Sequence, residues 1–266
     1  MRRCLPLLTW LFSLPLCAAQ LQLDAGTLSR QWSTAELLDH PRAAVIEVPA
    51  DVSYKRAMHY RAVPLAALLE GIASDDHLQA VALDGFAAEM PAAPLLQAGP
   101  AQAWLAVEDP ERPWPPLAAG KPSAGPFYLV WTDPQRSGIR PEQWPFQIAS
   151  LRRLQPVEQR FPQMRPDPSL PADAPERLGF ALFQQNCMAC HRLNGGGDAQ
   201  VGPDLNLPHN PTEYFATPWL RQLIRDPQAL RQWPQGKMPG FGEGVLNEAE
   251  LDALLAYLKH MAGRKS

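Results

Sequence analysis

Cysteine is scarce in this chain of 266 residues, which contains only four. Cys4 and Cys17 lie near the amino terminus, and residues 20–186 contain none. A disulfide framework, common in small exported domains, therefore cannot hold this long segment together. The same absence excludes a thiolate-bound metal there, because only cysteine supplies a thiolate ligand.

An excess of basic residues is also missing. The chain has 24 Lys and Arg residues against 27 Asp and Glu residues, a net charge of -3. Nucleic-acid-binding proteins usually carry a concentrated basic face, so we expect no nucleic-acid partner. HExxH, GxSxG and glycine-rich phosphate-loop motifs are absent as well. Hydrophobic residues still make up 46% of the chain, which excludes wholesale disorder.

The amino terminus has the order of a secretory signal peptide. Arg2 and Arg3 precede an apolar stretch at 5–16 and small residues at 17–19. This order predicts a signal peptide at residues 1–19, and the apolar stretch is shorter than the ~20 residues that a membrane span needs. We expect a periplasmic or otherwise exported protein with no transmembrane segment after cleavage, the alternative being an uncleaved amino-terminal anchor.

Cys187, Cys190 and His191 form a CxxCH motif, which is typical of covalent haem c attachment. Two thiols at this spacing can bond to both vinyl groups of one porphyrin, and the histidine that follows is the proximal iron ligand. A thioredoxin-like redox pair would need a preceding strand, whereas this segment has a helical pattern. A zinc site would need four ligands, and only His209 lies nearby in sequence. A disulfide across so short a loop would be strained and would leave His191 without a role.

A second axial ligand for iron has four candidates after the motif, namely Met238, Met261, His209 and His260. Met238 lies in a Gly-Lys-Met-Pro-Gly loop, where a methionine is hard to explain as a core residue and its thioether suits iron. Met261 fits the apolar stripe of a helix, and prolines flank His209. We therefore predict Met238. Ligation by His and Met leaves no open position for a substrate, which favours electron transfer.

Helical patterns surround the motif. The sequence predicts one helix that begins at Pro175 and runs into the motif, and a short helix at 219–224. A capping box of Asn247 and Glu250 predicts the start of a final helix.

This segment, residues 175–266, resembles a class I cytochrome c domain, which is all-α and binds haem c. The resemblance rests on residues at matching positions in and around the motif: Gly179, Phe183, Cys187, Cys190, His191, 202–205, 237–239 and Tyr257. It implies that the Pro203 carbonyl accepts the ring N–H of His191. It also implies that the helix with Gly179 and Phe183 crosses the helix with Leu254 and Tyr257.

The segment before this domain contains six prolines between residues 156 and 175. It is predicted to be an extended, proline-rich linker at residues 156–174. Residues 20–155 would form a separate α+β domain. Its predicted elements are strands at 43–49, 79–83, 103–107 and 127–131 and helices at 33–38 and 63–71.

Residues 63–65, 68–69 and 84–86 resemble, in that order, parts of the sulfite-oxidase-like molybdopterin-binding fold. Enzymes of that fold hold molybdenum through a cysteine, which this domain lacks, so we do not expect molybdopterin. A cluster of basic and aromatic residues could bind an anion or a pterin-like ligand, or could be a solvated edge: Tyr54, Lys55, Arg56, His59, Tyr60 and Arg61. We expect a degenerate copy of the fold that serves as a docking or scaffold domain.

These observations favour an exported cytochrome with one covalent haem c, which transfers single electrons between a redox enzyme and a respiratory acceptor and is not itself an enzyme. Two alternatives remain open. One is a haem-linked molybdopterin-dependent oxidoreductase, and the other is a haem-based ligand-binding or sensor module.

Overall fold

The computed structural model describes residues 19–26, 29–133 and 139–266. The signal peptide predicted at residues 1–19 lies outside this part of the chain except for Ala19. Within the described ranges, no helix combines the length and the apolar character that a membrane crossing requires.

The amino-terminal domain is built on two β-sheets. Its strands are β1 (Gln20–Asp24), β2 (Ser29–Ser33), β3 (Ala44–Val48), β4 (Met58–Pro64), β5 (His77–Ala82), β6 (Ala87–Pro91), β7 (Ala103–Val107), β8 (Phe127–Trp131) and β9 (Ile148–Leu154). One sheet has the order β2-β1-β9-β5-β6 and the other β3-β4-β7-β8. β1 and β9 pair in parallel, so the last strand of the domain lies between the first and the fifth.

The two sheets share one hydrophobic core. Its largest buried side chains include Trp131, Tyr60 and Tyr128. The hydroxyl groups of Tyr60 and Tyr128 donate to the buried carboxylate of Asp51, at 2.8 and 3.2 Å. This pairing satisfies polar groups that would otherwise be costly to bury.

The strands predicted from short apolar runs are present in this domain. The predictions at 103–107 and 127–131 match β7 and β8, and those at 43–49 and 79–83 overlap β3 and β5. The short helices are α1 (Thr34–Leu38) and α2 (Ala92–Leu96). Ser33 forms a capping box with Glu36 at the start of α1, in agreement with the predicted helix.

The helix predicted at 63–71 is wrong. β4 continues to Pro64, and only a 3-10 turn, Leu65–Ala67, follows it. Buried and exposed residues alternate along the first part of β4, which is the strand period. The apolar residues after it are buried from several directions, and such a run does not distinguish a helix from a strand.

The linker at 156–174 is packed rather than extended, which corrects the prediction. It contains α3 (Val157–Arg160) and a 3-10 turn, Pro162–Met164. Val157 and Met164 are buried in the carboxy-terminal core. Pro156 precedes α3 and Pro162 begins the 3-10 turn, positions at which no intrahelical N–H bond is lost.

The carboxy-terminal domain is helical. Its helices are α4 (Pro175–Asn186), α5 (Pro211–Tyr214), α6 (Thr217–Arg225), α7 (Pro227–Leu230) and α8 (Glu248–Ala262). The helices predicted from Pro175 and at 219–224 correspond to α4 and α6. The reciprocal capping box of Asn247 and Glu250 is present at the start of α8.

α4 and α8 cross at Gly179, as the resemblance implied. The Phe183 and Tyr257 rings pack with centroids 5.6 Å apart. A Cβ atom on Gly179 would lie 2.1 Å from the Ala253 carbonyl oxygen and 2.6 Å from Tyr257 Cβ. Only glycine allows the two backbones to approach this closely.

We therefore expect Gly179→Ala to reduce the free energy of unfolding of the carboxy-terminal domain by about 1–3 kcal/mol, the usual range for overpacking. Denaturant unfolding followed by tryptophan fluorescence and circular dichroism would measure the loss. Gly263→Ala is the matched control, because its Cβ would lie at an ordinary van der Waals distance of 3.7 Å from the His260 carbonyl oxygen. Equal stability of the two variants would contradict the crossing.

Candidate haem site

The CxxCH motif continues directly from α4 as a tight helical turn. The amide of Cys187 donates to the Phe183 carbonyl at 2.9 Å, and the amide of His191 donates to the Cys187 carbonyl at 2.9 Å. Cys187 and Cys190 are half-buried free thiols, which we call the thiol pair. The helix thus fixes the positions of both sulfur atoms and of the imidazole.

His191 is held through one ring nitrogen. Its Nδ1 lies 2.8 Å from the Pro203 carbonyl oxygen, the contact that the resemblance implied. Burial lowers the pKa of His191, against a smaller opposing effect of the Pro203 carbonyl. A neutral imidazole with a proton on Nδ1 leaves Nε2 free to bind a metal, and the carbonyl fixes the ring orientation.

Gly202 makes this ring position possible. A Cβ atom there would lie 2.5 Å from His191 Cε1 and 2.6 Å from His191 Nδ1. The backbone at Gly202 therefore approaches the Nδ1 and Cε1 atoms of the His191 ring more closely than a residue with a Cβ atom could.

We expect Gly202→Ala to displace the His191 ring and to lower the yield of haem-loaded protein about tenfold, the lower end of the effect of losing a ligand-orienting contact. The ratio of Soret to protein absorbance after purification measures the yield. Gly242→Ala provides the control, because nothing lies within 4 Å of its added Cβ. A normal yield for Gly202→Ala would show that the ring has another stable position.

The thiol pair is poorly suited to thiolate chemistry. Burial raises the pKa of both thiols, to about 11 for Cys190. Both are therefore protonated at neutral pH, whereas redox-active and metal-binding cysteines are thiolates. In the described part of the chain, no group of three or more His, Cys, Asp or Glu side chains could hold a metal ion. The zinc and thioredoxin alternatives find no support here.

Met238 is half-buried against the carboxy-terminal core, in a loop tied to α6. The amide of Phe241 donates to the Ile224 carbonyl at 2.9 Å, and the Arg225 guanidinium donates to the Phe241 carbonyl at 2.8 Å. A Cβ on Gly240 would lie 2.5 Å from the Arg225 carbonyl oxygen. The loop after Met238 is thus fixed closely on the helix.

The three rival ligand candidates lie in other surroundings. Met261, a residue of α8, is fully buried in the core. His209 is exposed. The Nε2 atom of His260 accepts a hydrogen bond from the Asp167 amide at 3.0 Å. Met238 therefore remains the predicted second ligand.

A buried ladder of asparagines supports the loop after the motif, and the sequence analysis missed it. The Asn206 amide donates to the Asn194 side chain at 2.6 Å and to the Met261 carbonyl at 2.8 Å. The Asn210 amide donates to Asn206 and to the Leu258 carbonyl, at 2.8 and 2.9 Å. These bonds connect the loop to the end of α8. Asparagines between prolines and glycines look like solvated turn residues, so the sequence carries no signal for this role.

The amino-terminal domain contacts the motif itself. We call residues 83–87, which lead from β5 into the first residue of β6, the Asp-Gly turn. The Ala87 amide donates to the carbonyl of Ala189, inside the CxxCH motif, at 3.0 Å. The Gln200 amide donates to the Gly85 carbonyl at 3.3 Å. On the other side, Lys237 Nζ, next to Met238, lies 3.6 Å from the Asp84 carboxylate. The Asp-Gly turn therefore contacts both the haem motif and the loop that contains Lys237 and Met238, which we call the methionine loop.

The basic cluster predicted around His59 does not form one site. His59 and Arg61 are exposed on β4, whereas Tyr60 between them faces the core. Arg61 donates to the Leu38 carbonyl at 2.9 Å. Alternation along the strand turns Tyr60 away from His59 and Arg61, so this part of the cluster fits the solvated-edge alternative.

Residues 177–262 match the cytochrome c family. This part of the chain is therefore a cytochrome c domain, and the family implies covalently bound haem c and redox partners. The residues fit haem c: the thiol pair and a neutral, oriented imidazole lie on one turn, and a thioether lies in a fixed loop. The two-domain layout, with a sheet-rich α+β region before the helical domain, agrees with the predicted fold class.

Among solved structures, the chain is similar to the sulfane dehydrogenase SoxCD from Paracoccus pantotrophus, with 20% identity and a TM-score of 0.35. The match covers 54% of this chain and 40% of that chain, less than half its length. A similarity this distant does not establish a shared fold. A search of curated proteins finds no match.

Proposed function

We propose that this protein is an exported monohaem c-type cytochrome that transfers single electrons between a redox enzyme and a respiratory acceptor. The cytochrome c domain at residues 177–262 supports a haem electron-transfer protein. The observation that carries the proposal is the CxxCH turn with His191 oriented by the Pro203 carbonyl.

Each site residue has a defined part in this proposal. Cys187 and Cys190 would hold the porphyrin through thioether bonds, and His191 and Met238 would bind the iron. Bound haem c supplies a one-electron iron couple. Because His191 and Met238 would both bind the iron, substrates would be kept from it, and the protein would act as a relay rather than as a catalyst.

The amino-terminal domain serves as a docking or scaffold domain in this proposal. Its Asp-Gly turn contacts the haem motif, which places the domain where it can affect electron transfer. It lacks any cysteine that could hold molybdenum. We propose that it is a degenerate relative of the sulfite-oxidase-like fold, without molybdopterin.

Export rests on the predicted signal peptide. Amino-terminal sequencing of the protein purified from its native host, or from a bacterial periplasm, should give a chain that begins at Gln20. A chain that retains residues 1–19 would favour the amino-terminal anchor instead.

Expression with haem-attachment machinery, followed by a pyridine haemochrome assay and iron analysis, tests the central claim. We expect one covalent haem per chain and reduced-minus-oxidised bands of haem c. The double variant Cys187→Ser with Cys190→Ser should lose the covalent haem. Molybdenum analysis of the same sample distinguishes the electron carrier from the haem-linked oxidoreductase, because stoichiometric molybdenum would overturn the scaffold assignment.

A further inference from the structure

A 3-10 turn of the amino-terminal domain, Pro141–Gln143, is anchored on the cytochrome c domain. The Arg140 guanidinium, just before it, bonds to the Glu250 carboxylate at 2.8 Å and also donates to the Val245 carbonyl. Glu250 lies in the first turn of α8. The turn is therefore held at a fixed place beside the helical domain.

Glu142, in the middle of this turn, is an unusual carboxyl group. Its Oε2 atom is buried and has no hydrogen-bond partner among the described residues. The carboxylate also raises the pKa of both members of the thiol pair, second only to burial. The turn also packs against α4, the helix that runs into the CxxCH motif, and against β6. This packing agrees with a position of Glu142 close enough to Cys187 and Cys190 for a through-space effect.

We propose that Glu142 of the amino-terminal domain places its carboxyl group against the haem edge held by the two cysteines and there sets the reduction potential, making it dependent on pH. This inference rests on the proposed function, because it requires haem bound at the CxxCH motif. It goes beyond that function by giving the amino-terminal domain a direct part in the redox chemistry through a tuning residue that is not a ligand.

The effect follows from charge. Oxidation adds one positive charge to the iron, and a nearby carboxylate stabilises it, so the ionised form of Glu142 lowers the potential. A protonated carboxyl group does not. Burial raises the pKa of Glu142 to about 7, opposed by a hydrogen bond from its own backbone amide and by the charges of Arg140 and Lys55. The carboxyl group therefore changes charge near neutral pH.

Other charged groups surround the site without replacing this carboxyl group. The groups that face Glu142 and the neighbouring thiol pair are Lys55 and Arg140 from its own domain, Asp84 of the Asp-Gly turn, and Lys237 of the methionine loop. The cysteine sulfurs carry no charge once they form thioethers.

The experiment is a redox titration of the haem-loaded Glu142→Gln variant and the wild type between pH 5 and 9. We expect equal potentials at pH 5 and a lower wild-type potential at pH 9. If oxidation of the iron raises the acid dissociation constant of Glu142 tenfold, the potentials of the two proteins at pH 9 differ by about 59 mV. Haem propionates are common to both proteins, so they cancel in the comparison. Glu111→Gln removes an exposed carboxylate of the same domain and should follow the wild type.

Superimposable curves for Glu142→Gln and wild type would overturn the inference. A second measurement needs no stable variant: the redox-induced infrared difference spectrum of the wild type near pH 7 should show a protonated-carboxyl band that grows on reduction, and its absence would also overturn the inference. Wild-type protein without covalent haem would instead refute the proposed function, so the two failures are distinguishable.

Discussion

Replacing Met238 by alanine is expected to lower the reduction potential by on the order of 0.1 V or more, since axial ligands set haem potentials over a range of about 0.8 V. A thioether ligand favours the reduced iron, so its loss favours the oxidised form. The vacated position should also bind carbon monoxide in the reduced protein. Hydrogen bonds of Phe241 hold the loop after Met238 on α6, so its backbone should stay in place in the variant.

A redox titration and a carbon monoxide difference spectrum measure both effects. Met261→Leu is the matched control, because Met261 is buried in the core and leucine has a similar volume. It should keep the wild-type potential and remain closed to carbon monoxide. A Met238→Ala protein with an unchanged spectrum would assign the second axial position to another residue.

The second large effect is expected from Arg160, which joins the two domains. Its guanidinium lies 2.6 Å from the Glu89 carboxylate of β6 and 2.6 Å from the Asp198 carboxylate of the cytochrome c domain. The Glu89 side chain is only 2% exposed. Glu89 also lies 2.5 Å from His77 Nε2 and accepts from Gln79. Arg160 therefore compensates a carboxylate that is almost completely buried.

We expect Arg160→Ala to reduce the free energy of unfolding by about 3 kcal/mol, because breaking a buried pair leaves an uncompensated charge. Denaturant unfolding measures the loss, and limited proteolysis near α3 should become faster as the domains separate. Arg112→Ala is the control, since Arg112 is 83% exposed in its pair with Asp109 and should contribute about 1 kcal/mol or less. An Arg160→Ala protein as stable as this control would show that the network does not couple the domains.

The sequence was most informative where structure depends on local chemistry. The capping box of Asn247 and Glu250 and the spacing of the CxxCH motif each involve residues a few positions apart. The run at β8 is a short apolar segment with β-forming residues, so its bounds could be predicted. The parallel pairing of β1 with β9 joins residues more than a hundred positions apart, and no local pattern specifies it.

In the candidate site, too, residues that are adjacent in sequence could be predicted and residues brought together by packing could not. Cys187, Cys190 and His191 are adjacent in sequence, so the motif alone predicted them. Glu142 lies in a different domain, in a loop rich in polar residues and proline, where a carboxylate usually indicates solvent exposure. Only the packing of the two domains brings it to the thiol pair. The linker was mispredicted for a related reason, because proline content does not reveal that Val157 and Met164 are buried.

The hydrogen bond between Ala87 and Ala189 has a consequence for biogenesis. In the proposed cytochrome, an attachment enzyme must reach both cysteines and present a porphyrin to them, and the amino-terminal domain rests against the same turn. Maturation would then have a fixed order. The haem would be attached while the two domains are still apart, and the domains would dock afterwards. The docked form would thus mark a finished molecule.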